Sequence, residues 1–411
     1  CLLSGLRAGE AVGLLRDDLV WKGNLGWFAW IRPNEVRTLK TDAAERVVPL
    51  HSGLTPMLAS LPPGAQALPP ATLRFPRDAG SHNAFKTEWW YVTGYAQVPG
   101  NRGEASRLLG FQVTFFRSRV EATQGMQSRL AARHLLFAHA AVTDVQGRKL
   151  WHDQRIARWS GEPAGSNPAD VAHASTEDTA VVIRDWHLKR SGPHLQARVL
   201  ATDFVLDLEL QASQPVLLQG VDGLSRKGPQ AQQASYYYSV PQLQVRGSVT
   251  LKDQKYPLAT GSTAWLDHEW SQEVLHPNAV GWDWIGINML DGGALTAFRL
   301  RTAQDTALWD GGSYRSGQGV RQVFAQGELA FTPQRRWTSP ASRASYPVEW
   351  LVRTPAGSFT VKALLDDQEL DSRSSTGAIY WEGLCEVWNT SAELVGRGYL
   401  EMTGYASPLK I

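Results

Sequence analysis

Phe85 to Gln97 reads FKTEWWYVTGYAQ. Two adjacent tryptophans follow a glutamate, in a run that otherwise alternates as a β-strand does. In an extended chain Trp89 and Tyr91 point to one side, and Trp90 and Val92 to the other. One set must face a barrel interior or a neighbouring domain. Glu88 falls on the Trp90 side, where an arginine or His82 can pair with it.

Working outward, similar runs recur from Phe75 onward, among them LLGFQVTFFRSRV, TAVVIRDWHLKR, LQARVLATDFVLDLELQ, LQVRGSVTLK, YPVEWLVRT and GAIYWEGLCEVWN. Gly, Asn, Asp and Pro punctuate them. Many strands at short spacing, with few helical segments, predict an all-β fold of antiparallel barrels or sandwiches. The strands are too many for one small barrel, so two domains are expected, at 75–248 and 249–411. EWWYVTGYA (Glu88–Ala96) and GYLEMTGYA (Gly398–Ala406) echo each other near opposite ends and read as two similar closing strands.

Before residue 75 the chain has another character. Leu2, Leu3, Leu6, Val12, Leu14, Leu15 and Leu19 recur mostly at helical spacing, which predicts a helix within residues 1–20. WFAWIRP and VRTLK read as short strands, followed by ERVVPLHSGL. The prolines of TPMLASLPPGAQALPPATLRFP break any regular element, so residues 55–74 read as a linker.

Composition sets bounds. The 411 residues suit two or three domains. Charge is nearly balanced, 41 Lys+Arg against 39 Asp+Glu, so nothing global favours nucleic acid or an anionic membrane. No apolar run is long enough for a transmembrane helix. Cys1 and Cys385 are the two cysteines, which excludes a disulfide scaffold. A chain beginning at Cys1 reads as a fragment or a processed form. An acylated cysteine is usually followed by a polar tether, and LLSGLRAGEAVGLL is apolar, which argues against lipidation. No secretory signal pattern stands at this N-terminus.

Chemistry concentrates in STAWLDHEW, Ser262–Trp270. In a strand Trp265, Asp267 and Glu269 point one way, and Ala264, Leu266, His268 and Trp270 the other. A carboxyl among aromatic rings is poorly solvated, its pKa rises, and it can hold a proton near neutral pH. In GWDWIGINMLDGG (Gly281–Gly293), Trp282 and Trp284 share a face, with Asp283 expected to be exposed. In ASYYYSVPQL, Tyr236 and Tyr238 share a face and suit a pocket wall or an interdomain seam. With WLDHEW and GWDWIG, the TEWWYVTG run points to an aromatic seam between domains, with Trp89 or Trp90 in it. His134 and His139 are not at ligand-pair spacing, and no HExxH or Cys–His cluster appears, so no metal is expected. No GxSxG, GxGxxG or GxxxxGK[ST] occurs in a fitting context, and no cofactor is expected.

The order of FPRDAGSHNAFKTEWWYVTG, GFQVTFFRSR, FAHAAVTD, YYYSVPQL, STAWLDHEWSQE, GWDWIGINMLDGGALTAFRLR and YWEG, from about Phe75 to Tyr405, resembles the family of AttH-like proteins and carotenoid 1,2-hydratases. That resemblance implies two lipocalin-like barrels, with TEWWYVTG the first strand of the first. It implies an apolar ligand, lipid or isoprenoid, and action at the bacterial cell envelope, with an ABC transporter as a partner. The hydratases add water across a tertiary terminal alkene. Asp267 matches the family's acidic position, and Trp265 stands where the hydratases resemble a tyrosine. A protonated Asp267 would be the acid. The π faces of Trp89, Trp265 and Trp270 would stabilise the cation by ~0.5–2 kcal/mol each. The hydratases place a histidine and a tryptophan in the segment matching YYYSVP, where this chain has tyrosines. The AttH-like branch is therefore the closer resemblance, and binding or carriage of an apolar ligand ranks ahead of hydration. The ligand-lining residues expected are Glu88, Trp89, Trp90, Tyr236, Tyr238 and Trp265, together with His268, Glu269, Trp270, Trp282 and Trp284.

SGLRAGEAVGLLRDDL with LKTDAAERVVPLHSGL is similar to the opening of a tyrosine recombinase catalytic domain. There Arg7 would grip a phosphate, Glu10 would support the fold, and Lys40 would protonate the leaving group. No HxxR follows in a fitting helix, since HLKR (His187–Arg190) lies in a β-rich stretch, and no nucleophilic tyrosine follows. The expectation is a short α+β remnant fused at residues 1–54, unable to cleave DNA.

Overall fold

The computed structural model describes residues 19–21, 27–31, 46–49, 68–100, 106–273 and 275–409, in two units, Cys1–Leu68 and Pro69–Ile411. In the first unit Leu19–Trp21, Trp27–Ile31 and Arg46–Pro49 form a three-stranded antiparallel sheet. Leu19 therefore belongs to a strand and not to the expected helix: Val20 and Trp21 beside it favour a pleated surface, and all three pair with Trp27–Ala29. Arg7, Lys40, the remainder of the expected helix and residues 55–67 lie outside the described residues.

The second unit is nearly all β and holds two antiparallel sheets. The larger has fourteen strands. Its main path runs Lys149–Trp159, His134–Asp144, Arg107–Arg119, Thr87–Val98, Thr263–Glu273, Ala234–Leu251, Phe204–Gln211, His194–Leu200, Trp186–Ser191, Ala180–Ile183, Ala172–Ala174. Its first and last strands come together, so the sheet curls into a nearly closed barrel of the expected lipocalin-like kind. Thr263–Glu273 returns to pair with Thr87–Val98, so the passage between sheets falls between Glu273 and Gly281, later than a division at 248/249.

The ten-stranded sheet centres on Gly281–Met289, Leu394–Met402 and Ala378–Trp388. Its core packs Tyr346, Trp350, Trp381, Ile285, Ile287 and Leu400 at 0% exposure. Thr87–Val98 packs on Leu394–Met402, and Thr263–Glu273 on Gly281–Met289. Across this seam Tyr91, Tyr95 and Trp265 meet Trp284, Phe298, Leu384 and Tyr399 in one apolar cluster. Gly110 permits the approach: a Cβ there would lie 2.7 Å from the Tyr399 hydroxyl and 3.0 Å from the Leu384 Cβ.

Both faces of the strands at the seam are therefore covered, one by the barrel interior and one by the other sheet. Asp283 shows the consequence and corrects the expectation of exposure. It is 0% exposed on the core face of the ten-stranded sheet, 2.7 Å from Arg299 Nε and 3.2 Å from Arg301 Nε, and it accepts a 2.9 Å bond from the Tyr405 hydroxyl. A carboxylate with no solvent on its face must be paired.

Candidate functional site

The strand Thr263–Glu273 sends Trp265, Asp267 and Glu269 into the seam. Asp267, 3% exposed, accepts three bonds: from Trp265 Nε1 (2.6 Å) and Ser239 Oγ (2.5 Å) on Oδ1, and from the Tyr237 hydroxyl (2.6 Å) on Oδ2. Register explains the gathering, because Asp267 is directly opposite Ser239 on one neighbouring strand and Tyr91 on the other. Two outer donors set the hydroxyl directions. Trp284 Nε1 donates to the Tyr237 hydroxyl at 3.3 Å, and Gln219 Nε2 to Ser239 Oγ at 2.8 Å. Gln219 is in turn held by Ser313 of the second sheet. Each hydroxyl thus receives a hydrogen from behind and aims its own at Asp267.

Burial pushes the Asp267 carboxyl from 3.8 up to about 7, although the Ser239, Tyr237 and Trp265 bonds pull it down; nearby Glu269 adds to the rise. The carboxyl can therefore hold a proton near neutral pH. Oδ1 is saturated by two donors, and an indole N–H can only donate. The proton therefore belongs on the remaining lone pair of Oδ2. Burial and the Asp267 charge raise the Tyr237 hydroxyl well above its usual range, so it stays a phenol and a donor.

Other titratable groups share the seam. Glu269 is held by Ser235 and by Lys227, whose Nζ lies 3.0 Å from it. That ammonium also sits 4.1 Å from the Phe298 ring centroid and 4.7 Å from that of Tyr237. From the second sheet, Glu382 and Glu401 are direct partners on adjacent strands. Burial pushes Glu401 up to about 7, with Asp267 and Glu269 adding to the rise. Burial and Glu401 raise Glu382 well above the carboxylate range. The seam is a buried, aromatic, acid-rich cluster in which carboxyls are held near or above neutral pKa by desolvation.

On the opposite strand face His268 points into the first barrel. Its Nε2 is 3.0 Å from Glu88 Oε1 and its Nδ1 is 3.2 Å from the Tyr238 hydroxyl. Burial lowers its pKa to about 4, which leaves it neutral, donating from Nε2 and accepting at Nδ1. Glu88, 0% exposed, also takes bonds from Ser81 Oγ (2.8 Å), His82 Nδ1 (2.8 Å) and Arg117 Nε (2.8 Å). Burial alone would raise it, but the bonds from His268 and His82 and the Arg117 charge hold it well below the usual range. His82 stacks on Trp270 at 3.6 Å, and His268 on Trp90 at 4.7 Å. Ligand atoms of His82, Glu88 and His268 lie within 4.8 Å of one another, which is metal-triad spacing. The donors already on Glu88, one a guanidinium, occupy the lone pairs a metal would need, so the residues fit a buried clamp better than a metal centre.

The expected lining residues thus divide. Trp265, Glu269 and Trp284 lie in the seam with Asp267, and half-buried Trp89 and Trp282 pack at its margin. Glu88, Trp90, His268, Trp270, Tyr236 and Tyr238 belong to the other face. Trp270, buried against His82, is not available to a cation beside Asp267. The residues missed are Tyr237, Ser239, Gln219, Lys227, Tyr91, Glu382 and Glu401. Alternation marks Tyr237 and Ser239 as the row facing away from Tyr236 and Tyr238, but does not say which row joins Asp267. Two clefts, of about 420 Å³ and 370 Å³, are lined by other residues, Arg107, Trp151 and Lys252 in one and Ser342, Glu369 and Arg373 in the other.

Comparison with known proteins agrees with this geometry at the level of fold. The family model described as AttH-like matches residues 66–405. A crystal structure of a protein assigned as an AttH from Nitrosomonas europaea is similar at 44% identity and TM-score 0.73, covering 83% of this chain and 99% of that one. Kievitone hydratase from Nectria haematococca is similar at 16% identity and TM-score 0.62, covering 82% and 94%. No curated protein matches this chain in sequence.

Proposed function

Because the chain belongs to the AttH-like family, whose fold fixes no activity by itself, we propose a function from the seam: acid-catalysed addition of water to a trisubstituted alkene of an apolar, isoprenoid-type ligand. The observation that carries this reading is the buried Asp267, bonded to the Trp265 indole and the Tyr237 and Ser239 hydroxyls, with burial pushing its carboxyl up to about 7. Asp267 Oδ2 gives its proton to the less substituted alkene carbon. The tertiary cation left behind lies against the π faces of Trp265 and Trp284, each worth ~0.5–2 kcal/mol. Water adds to the cation, and its surplus proton returns to the Asp267 carboxylate. Alkene and water become alcohol, and the enzyme ends as it began. A fold neighbour named as a hydratase makes this chemistry compatible with the scaffold.

The test is incubation of the protein with lycopene in mixed micelles, with Asp267→Asn beside it, followed by mass spectrometry of the extracted polyene. A product one water heavier with wild type alone supports the reading. Equal retention of the polyene by both proteins, with no water gained, identifies a carrier and overturns it.

A further inference from the structure

Four carboxyls meet at the seam, those of Asp267, Glu269, Glu382 and Glu401, and among the described residues only Glu269 has an ion-pair partner. That partner, Lys227, is placed by the backbone. It directly follows Leu224–Arg226, which pairs with residues 234–236, and its own N–H donates to the Gln233 carbonyl at 2.7 Å. The buried side chain then passes the Phe298 and Tyr237 rings and ends 3.0 Å from Glu269 Oε1. The same oxygen accepts from Ser235. Asp267 and Glu269 therefore stand two residues apart on one strand face in opposite surroundings. Asp267 accepts only from neutral donors, an indole and two hydroxyls. Glu269 has an ammonium. An opposite charge in contact favours a carboxylate, and burial among neutral groups favours the acid.

We propose that Lys227 is a positioning residue: by pairing with Glu269 it keeps that carboxyl ionised and leaves the proton that the two carboxyls of this strand could share on Asp267. The Glu269 charge in turn helps to raise both Asp267 and Glu401. The other titratable groups facing this space are Tyr91, Tyr237 and Tyr399, which burial raises well above the usual phenol range, and the Glu382–Glu401 pair, with Tyr91 bonded to Glu382. They are unchanged in every variant below. No covalent bond is made or broken; only the seat of one proton is set. Asp267 is also the acid of the hydration reading, but its titration needs no ligand, so each idea stands or falls by its own test.

The experiment follows the C=O stretch of buried protonated carboxyls by infrared difference spectroscopy between pH 5 and pH 9. It compares wild type, Glu269→Gln, Lys227→Met and Lys227→Met/Glu269→Gln, with Asp267→Asn added to each to assign the Asp267 band. Near-UV circular dichroism checks that each protein is folded. Glu269→Gln leaves the ammonium unopposed in the seam, so the Asp267 midpoint should fall by about one pH unit. The double variant removes both charges, and the midpoint should return towards the wild-type value. Lys227→Met alone should add a second protonated carboxyl at pH 5, one that the further change Glu269→Gln abolishes. If Lys227→Met does not fold, Glu269→Gln and the double variant decide the matter, because the first can repair its charge by ionising Asp267 and the second has none to repair. An Asp267 midpoint that is the same in wild type, Glu269→Gln and the double variant overturns the inference. So does a folded Lys227→Met protein in which no Glu269 carboxyl band appears.

Discussion

Replacing Asp267 with asparagine tests the protonation argument without any ligand. Burial carries this carboxyl from 3.8 to about 7 in the folded chain. Between those values the folded chain holds a proton that the unfolded chain has released. Stability therefore falls as pH rises from about 4 to about 7, and is level above. At about 1.4 kcal/mol per unit, this one group removes about 3 kcal/mol between pH 5 and pH 8. Asparagine does not titrate, so that loss disappears. Its oxygen can take the Trp265 and Ser239 bonds, but its NH2 then meets the Tyr237 hydroxyl, at a cost of about 1 kcal/mol at every pH. Wild type has already lost about 1.4 kcal/mol by pH 5, so the variant should be about as stable as wild type at pH 5 and about 3 kcal/mol more stable at pH 8. His134 and His268, lowered by burial to about 4, and His139, to about 3, push the absolute profile the other way, but they are common to both proteins and cancel in the difference. Urea unfolding followed by tryptophan fluorescence at pH 5 and pH 8 measures it. A difference that stays constant between the two would refute a buried, near-neutral Asp267.

Arg117→Met strips Glu88 of its cation at a site where both side chains are 0% exposed, and should cost roughly 3–5 kcal/mol in urea unfolding, with part restored in Arg117→Met/Glu88→Gln. Lys227→Met should destabilise by roughly 3 kcal/mol, and adding Glu269→Gln should recover some of it, as read from the same unfolding curves. Gly286→Ala places a Cβ 2.2 Å from the Trp284 ring, and should cost about 1–3 kcal/mol and change the near-UV circular dichroism as that indole moves.

What the sequence showed of the site was what period-two alternation controls. The faces of Thr263–Glu273 could be read directly, and so could a partnership of Glu88 with His82 or an arginine, since a carboxylate beside Trp90 has to be neutralised. What alternation does not contain is register between strands. Choosing Tyr236 and Tyr238 over Tyr237 placed the tyrosines on the barrel side, because only the pairing of Tyr237 with Glu269, offset by a bulge after Ala234, shows which row joins Asp267. Asp283 was misread for a related reason: whether the face opposite two tryptophans meets water depends on how the second sheet curls, which involves residues as distant as Tyr405. Alternation placed Tyr91 beside Trp89, but Glu382 and Glu401 carry no local signal, since the seam joins segments some three hundred positions apart.

The strand Thr263–Glu273 carries the Glu88 clamp on one face and the acid on the other, in consecutive residues. A shift by a single position would exchange the two, sending the acid towards Arg117 and the imidazole into the seam. Insertions and deletions in this strand should therefore be lethal to folding and chemistry together, and neither role can be tuned there without disturbing the other. Under the proposed function, new ligand preferences would arise on the far wall, among Trp282, Phe298 and Leu384, while the strand carrying Asp267 stays fixed.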